Sequence, residues 1–230
     1  MEQYLNAIIQ AARKRQEEHG PTKIPTPSIS SAEERAVFKI INGIPPKYKD
    51  CSFENFEGND AFVQHLRSYA EQAESVFLTG KTGCGKTHLG ISMLRTADIN
   101  KISRIWPARR GEEWETPPQK YFTTLPEVLL RIRESFQEKS KHTESEVISY
   151  YADIDCLCLD DLGAEKPSAF SISALYLILD RRIRNERQTI ITSNMELTEI
   201  EKVCGARIAS RISEMKIIKI NMPDYRKKRG

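Results

Sequence analysis

Residues Gly80-Lys81-Thr82-Gly83-Cys84-Gly85-Lys86-Thr87 fit the phosphate-binding P-loop pattern at every fixed position. Glycines at such a turn let backbone N–H groups curl around phosphate oxygens in conformations that a Cβ resists. A helix starting at the end of the loop adds the positive end of its dipole to the same anion. Lys86 has the reach to touch β and γ phosphates, and the Thr87 hydroxyl can ligate Mg²⁺. The flanks suit the motif: the apolar run Ser75-Val76-Phe77-Leu78 precedes it and a helix-like stretch, residues 88–94, follows. The chemistry implied is binding of a nucleoside triphosphate, with ATP and Mg²⁺ expected.

What happens to the phosphate depends on other residues. Leu157-Cys158-Leu159-Asp160-Asp161 reads as a buried strand ending in two carboxylates, at the edge of a parallel sheet where ligands bind. Asp160 is expected in the Mg²⁺ shell, and Asp161 stands where an acid could orient a water or take its proton. Thr192-Ser193-Asn194 closes another strand, and the Asn194 amide suits a γ-phosphate or the lytic water. In residues 205–212, Arg207 and Arg211 share a helix face at i, i+4. Two readings stand side by side. These arginines project into the site of a neighbouring copy and neutralise charge on the transferring group, or they are surface arginines with salt-bridge partners.

The elements that must hold these residues alternate. Strands are predicted at 76–79, 121–124, 154–159, 189–192 and 216–220. Helices are predicted at 60–73, 88–94, 126–137, 144–151, 171–185 and 199–213. That alternation specifies an α/β domain with a doubly wound parallel sheet. Residues 1–45 have the form of a separate partner-binding arm, or of a segment packed on its own domain: an amphipathic helix at 2–19, a Pro/Ser/Thr-rich linker and a short second helix. Residues 46–230 form the nucleotide-binding domain. Cys156 and Cys158 alternate in an apolar strand as small core residues, and none of the five cysteines forms a C-x-x-C pair. A net charge of +3 carries no argument for nucleic acid by itself. No apolar run approaches membrane-spanning length and no leader-like segment opens the chain, so a cytoplasmic location without membrane contact is expected.

In this order and spacing the motifs resemble AAA+ ATPases of the bacterial helicase-loader family (DnaC-like), together with the closely similar IstB-like transposition helper ATPases. The resemblance runs from about residue 45 to 225 and is most specific at Asp160-Asp161-Leu162-Gly163 and Thr192-Ser193-Asn194. It implies a P-loop NTPase of AAA+ type: a five-stranded parallel sheet of order 5-1-4-3-2, flanked by helices, without a C-terminal lid domain. It makes Arg211 the arginine finger, with Arg207 as second candidate, and self-association through the ATP site follows. It implies a replicative DNA helicase and single-stranded DNA as partners, the helicase being gripped by the N-terminal arm. An IstB-like ATPase assisting a transposase is the alternative.

The stretch 125–151 resembles the insertion that touches single-stranded DNA in initiators and loaders. There Arg131, Arg133, Lys139 and Lys141 are assigned to DNA. Val128, Leu129, Ile132 and Phe136 form a helical stripe, which assigns Phe136 to the core. Two departures from the family pattern stand out. Asp161 replaces the usual glutamate, which implies slow ATP hydrolysis stimulated by DNA or a partner. A basic, tryptophan-bearing segment, residues 104–118, stands where the family has a short turn. A metabolite kinase would need an arginine-rich lid, and a non-hydrolysing adaptor is compatible with Asp161.

Overall fold

The computed structural model describes residues 43–102, 118–137, 140, 142–164 and 167–225. Residues 1–42 of the proposed N-terminal arm, most of the tryptophan-bearing segment, Lys139 and Lys141 lie outside them.

Chain order is α1 (Asp60–Glu71), β1 (Val76–Gly80), α2 (Lys86–Thr96), β2 (Lys120–Thr124), α3 (Leu125–Glu134), α4 (Glu144–Asp153), β3 (Cys156–Leu162), α5 (Ala169–Arg184), β4 (Gln188–Ser193), α6 (Leu197–Cys204), α7 (Ala206–Ser213) and β5 (Lys216–Ile220). The strands form one sheet, β2-β3-β4-β1-β5, with every pair parallel. This is the expected order 5-1-4-3-2. β1 lies between β4 and β5, with Val76 opposite both Ile190 and Lys216.

Side-chain alternation along the strands divides the core in two. Val76, Leu78, Cys156, Cys158 and Ile190 face α1 and α2. Phe77, Leu157, Leu159 and Ile191 face α3 through α7. A sheet covered on both faces explains the apolar runs at the start of β1 and β3. Close approach of α2 depends on Gly90, where a Cβ would lie 3.2 Å from Cys158 Sγ and 3.1 Å from Thr192 Cγ2.

Helix starts are fixed by local chemistry. Thr124 with Glu127 and Thr143 with Glu146 form capping boxes for α3 and α4, and the Asn59 side chain accepts from Phe62 N–H at α1. The single helix predicted at 199–213 is instead two, α6 and α7, broken at Gly205 with φ of 91°. Phe136 is not a core residue. α3 ends at Glu134, so the i, i+4 stripe does not carry past it, and Phe136 is 58% exposed with an edge contact to Phe170. Among the described residues no helix is long and apolar enough to cross a membrane.

Candidate nucleotide site

The carboxyl edge of the sheet brings three segments together. β1 ends at Gly80 and runs into the P-loop, β3 ends in Asp160-Asp161-Leu162, and Asn194 follows β4. Lys86 and Thr87 open α2, so the loop's anion-binding N–H groups and the helix N-terminus converge on one point. Gly83 and Gly85 adopt φ of 81° and 92°. A Cβ at Gly83 would sit 1.8 Å from Asp224 Oδ1, and one at Gly85 would sit 2.6 Å from Phe56 Cε2. Only glycine satisfies both the backbone angle and the close approach at these positions.

Lys86 is buried, and its ammonium spends its donors inside the site. It donates to the carbonyl oxygens of Gly80 and Lys81, each at 2.9 Å, and to Asn194 Oδ1 at 2.7 Å. The Asn194 amide then donates through Nδ2 to Asp161 Oδ1 at 2.9 Å. Thr82 Oγ1 lies 3.4 Å from the same Asn194 oxygen. Lys86, Asn194 and Asp161 therefore form one polar chain across the mouth of the loop.

A second chain runs beneath it. Thr87 Oγ1 donates to Asp160 Oδ2 at 3.0 Å, and Thr192 Oγ1 donates to Asp160 Oδ1 at 2.6 Å. The Thr192 hydroxyl also accepts the Asp161 backbone N–H at 2.9 Å. This is possible because β3 is irregular here: its register against β4 shifts between Leu159 and Leu162, and Asp161 takes a left-handed φ of 55°. The bulge turns Asp160 inward and Asp161 outward. Burial pushes the Asp160 carboxyl above the usual carboxylate range. Hydrogen bonds from Thr192 and Thr87 pull it back, the Asp161 charge raises it and Lys86 lowers it.

The residues fit a magnesium nucleotide. Octahedral Mg²⁺ holds oxygens at about 2.0–2.1 Å, which sets neighbouring ligands about 2.9 Å apart. The Thr87–Asp160 oxygen separation of 3.0 Å matches that edge. No group of three or more His, Cys, Asp or Glu that could hold a metal occurs among the described residues. An ion at Thr87 and Asp160 would thus draw its other ligands from phosphate and water, as Mg²⁺ commonly does.

Two further segments close on the loop. The Tyr225 N–H donates to the Gly83 carbonyl at 3.1 Å, and Phe56 packs against both His88 and Tyr225. Sequence reading passed over Phe56, His88, Tyr225 and Thr192 as site residues. An isolated loop aromatic or a strand threonine carries no motif; only the fold gives it a role.

The arginines lie elsewhere. Arg211 sits in the last turn of α7, which leads into the amino end of β5. β5 runs parallel to β1, and Gly80 is four residues further along. At about 3.3 Å per residue, roughly 13 Å of strand separates the two edges. Arg211 forms ion pairs with Asp180 and Glu214. Arg207 is exposed and makes no ion pair or hydrogen bond among the described residues. Of the residues assigned to DNA, Arg131 stacks on the Tyr150 ring at 4.2 Å, half-buried, whereas Arg133 is exposed.

Residues 46–229 match the family described as IstB-like ATP binding protein. The chain belongs to that family. The replicative helicase loader DnaC of Escherichia coli (strain K12) is 24% identical over 179 residues, 74% of this chain and 66% of that protein. The IstB-like chain thus spans just under two thirds of that relative's length. It is similar in fold to a crystal structure of the DnaC helicase loader, with a TM-score of 0.60 and 21% identity over 77% of this chain and all of that one. It is also similar to the replication initiator DnaA bound to AMPPCP and single-stranded DNA, with a TM-score of 0.57 and 21% identity over 78% of this chain and 51% of that one. The shared fold is the AAA+ type expected from the motif order.

Proposed function

We propose that this IstB-like protein is an ATP-dependent helicase loader. The observation that carries the reading is the continuous chain Lys86–Asn194–Asp161, lying over the Thr87–Asp160 pair. In this reading ATP displaces the internal acceptors of Lys86, and the ammonium turns to the β and γ phosphates. Thr87 and Asp160 would hold Mg²⁺, which would neutralise phosphate charge when bound. Asn194 spans from the γ-phosphate to Asp161, and Asp161 orients the attacking water. Arg211 cannot serve its own loop from the opposite edge of the sheet, so it completes the site of the next copy, with Arg207 beside it. Hydrolysis then weakens the assembly. Arg133, with the neighbouring basic residues 139 and 141, contacts single-stranded DNA, and residues 1–45 hold the helicase.

The similarity to DnaC supports the helicase as client. The family match itself favours a second reading, an ATPase assisting a transposase, because the core is common to both. The deciding experiment is delivery of a replicative helicase onto single-stranded DNA coated with single-strand-binding protein, read as ATP-dependent unwinding. Stimulated unwinding, lost in Lys86→Ala, is expected. No helicase binding, together with ATP-dependent binding of a transposase, selects the second reading.

A further inference from the structure

We propose that Asp180 is a positioning residue for Arg211, fixing its guanidinium in the orientation that a neighbouring copy's triphosphate requires; this rests on the shared-site reading above. Asp180 lies in the last turns of α5, with its side chain only 12% exposed. One oxygen, Oδ1, takes Arg211 at 2.8 Å and the other, Oδ2, takes Arg184 at 2.6 Å. Glu214 Oε1 takes the second terminal nitrogen of Arg211 at 2.7 Å.

Arg211 Nη1 thus donates to Glu214, while Nη2 is ion-paired with the Asp180 carboxylate; each terminal nitrogen carries two N–H groups, so donors remain for a phosphate. A guanidinium pinned at both ends of its fork loses little further freedom when it meets a phosphate, which is what makes a cation effective on a transferring group. The carboxylate is itself held. Arg184, one helical turn on, draws its second oxygen, and the surrounding helices keep it from water. Arg207, on the same face of α7, has no carboxylate anchor among the described residues. The bracing therefore singles out Arg211 within the pair, and it crosses from α5 to α7 at the sheet edge remote from the chain's own P-loop.

The test is complementation between copies, on full-length protein with Mg²⁺–ATP and single-stranded DNA. Asp180→Asn removes the charge at nearly constant volume. It is expected to bind nucleotide like wild type and to lose at least about tenfold in hydrolysis, in line with displacement of an oriented cation. Mixed one to one with Lys86→Ala, which keeps an intact Asp180–Arg211 pair, the sites formed by an Asp180→Asn loop and a Lys86→Ala arginine are complete. Random pairing across a heterologous interface gives about a quarter of the wild-type sites. Activity should rise toward that level although Lys86→Ala alone is inactive and Asp180→Asn alone is at least about tenfold slow. Asp180→Glu keeps both ion pairs while moving the guanidinium outward, so it should keep the wild-type melting temperature, hydrolyse slowly and be rescued in the same way.

Full activity of both Asp180 variants alone overturns the proposal. So does a loss that Lys86→Ala cannot rescue, since that marks damage to the loop's own subunit. The control mixture of Arg211→Ala with Lys86→Ala separates the two levels. Rescue there without rescue of the Asp180 variants sinks only the role of Asp180. Failure there sinks the shared site and this proposal with it.

Discussion

Lys86 and Asn194 are joined by a 2.7 Å hydrogen bond from the lysine ammonium to the amide oxygen. The bond links the phosphate loop to the end of β4, 108 residues later in the chain. The two partners predict different losses. Lys86→Ala removes the main cationic contact to the phosphates and should abolish nucleotide binding. Asn194→Ala should leave binding within a few-fold of wild type and cut turnover by roughly 10²-fold, the scale of one lost transition-state hydrogen bond. Fluorescent-nucleotide titration beside steady-state hydrolysis separates the two. Equal losses of binding and turnover in Asn194→Ala would assign the amide to ground-state binding.

Thr192 serves both acids with one hydroxyl, donating to Asp160 and accepting from the Asp161 N–H. Thr192→Val keeps the shape and leaves both groups without that partner in a buried setting. The expected cost is about 1–3 kcal/mol in stability, with a fall in hydrolysis because the bulge at Asp161 loses its anchor. Thr192→Ser, which restores the hydroxyl, should recover most of both. Urea unfolding curves and hydrolysis rates on the two variants check this.

The large elements and the phosphate loop were legible in sequence because each is encoded locally. The loop needs closely spaced glycines, a lysine and a threonine, and parallel strands buried on both faces, such as β1 and β3, carry apolar runs. What was missed depends on contacts distant in the chain. Thr192 matters only because β3 bulges opposite it. Phe56 and Tyr225 meet over the loop although 169 residues separate them. Arg182 lies in a helix turn rich in arginine, yet it is fully buried and donates to the carbonyls of Tyr151 and Ile154 and to Thr189 Oγ1. Gly205 broke a helix that periodicity alone ran through, and Phe136 fell outside the core because α3 stopped before it. The order of the five strands was carried by the family resemblance, since alternation alone fixes a parallel sheet but not its order.

Asp160 gives the site a pH dependence. Its carboxyl is raised above the usual range, chiefly by burial. A raised acid binds its proton more tightly folded than unfolded. Its contribution to stability is therefore full below the unfolded value and is lost as pH rises through the raised folded value. Mg²⁺ needs the ionised form, so metal binding runs the opposite way and weakens as pH falls through that same raised value. The thermal stabilisation conferred by Mg²⁺–nucleotide should thus fade on acidification at a higher pH than an ordinary aspartate would set. Asp160→Asn should flatten this acid limb. Melting temperatures with and without Mg²⁺–nucleotide across pH measure both effects, and an acid limb retained in Asp160→Asn would move the titration to another group.

Asp224 stands against the phosphate loop, its Oδ1 occupying the space a Cβ on Gly83 would need. The adjoining Tyr225 N–H bonds the Gly83 carbonyl, so the segment after β5 is tied to the loop at the point where triphosphate charge arrives. A carboxylate so close to an anion site opposes the ligand, by about 1 kcal/mol for unit charges near 4 Å in water and more where solvent is excluded. Asp224→Asn keeps the size and removes that charge. It should tighten ATP binding several-fold, and the gain should shrink as salt rises, because screening weakens the repulsion it removes. Affinity for ADP should improve less, since fewer phosphate charges face residue 224. Isothermal titration of both nucleotides at low and high ionic strength provides the measurement. An Asp224→Asn protein that binds ATP no better than wild type at low salt would show that the carboxylate swings clear before the phosphates arrive.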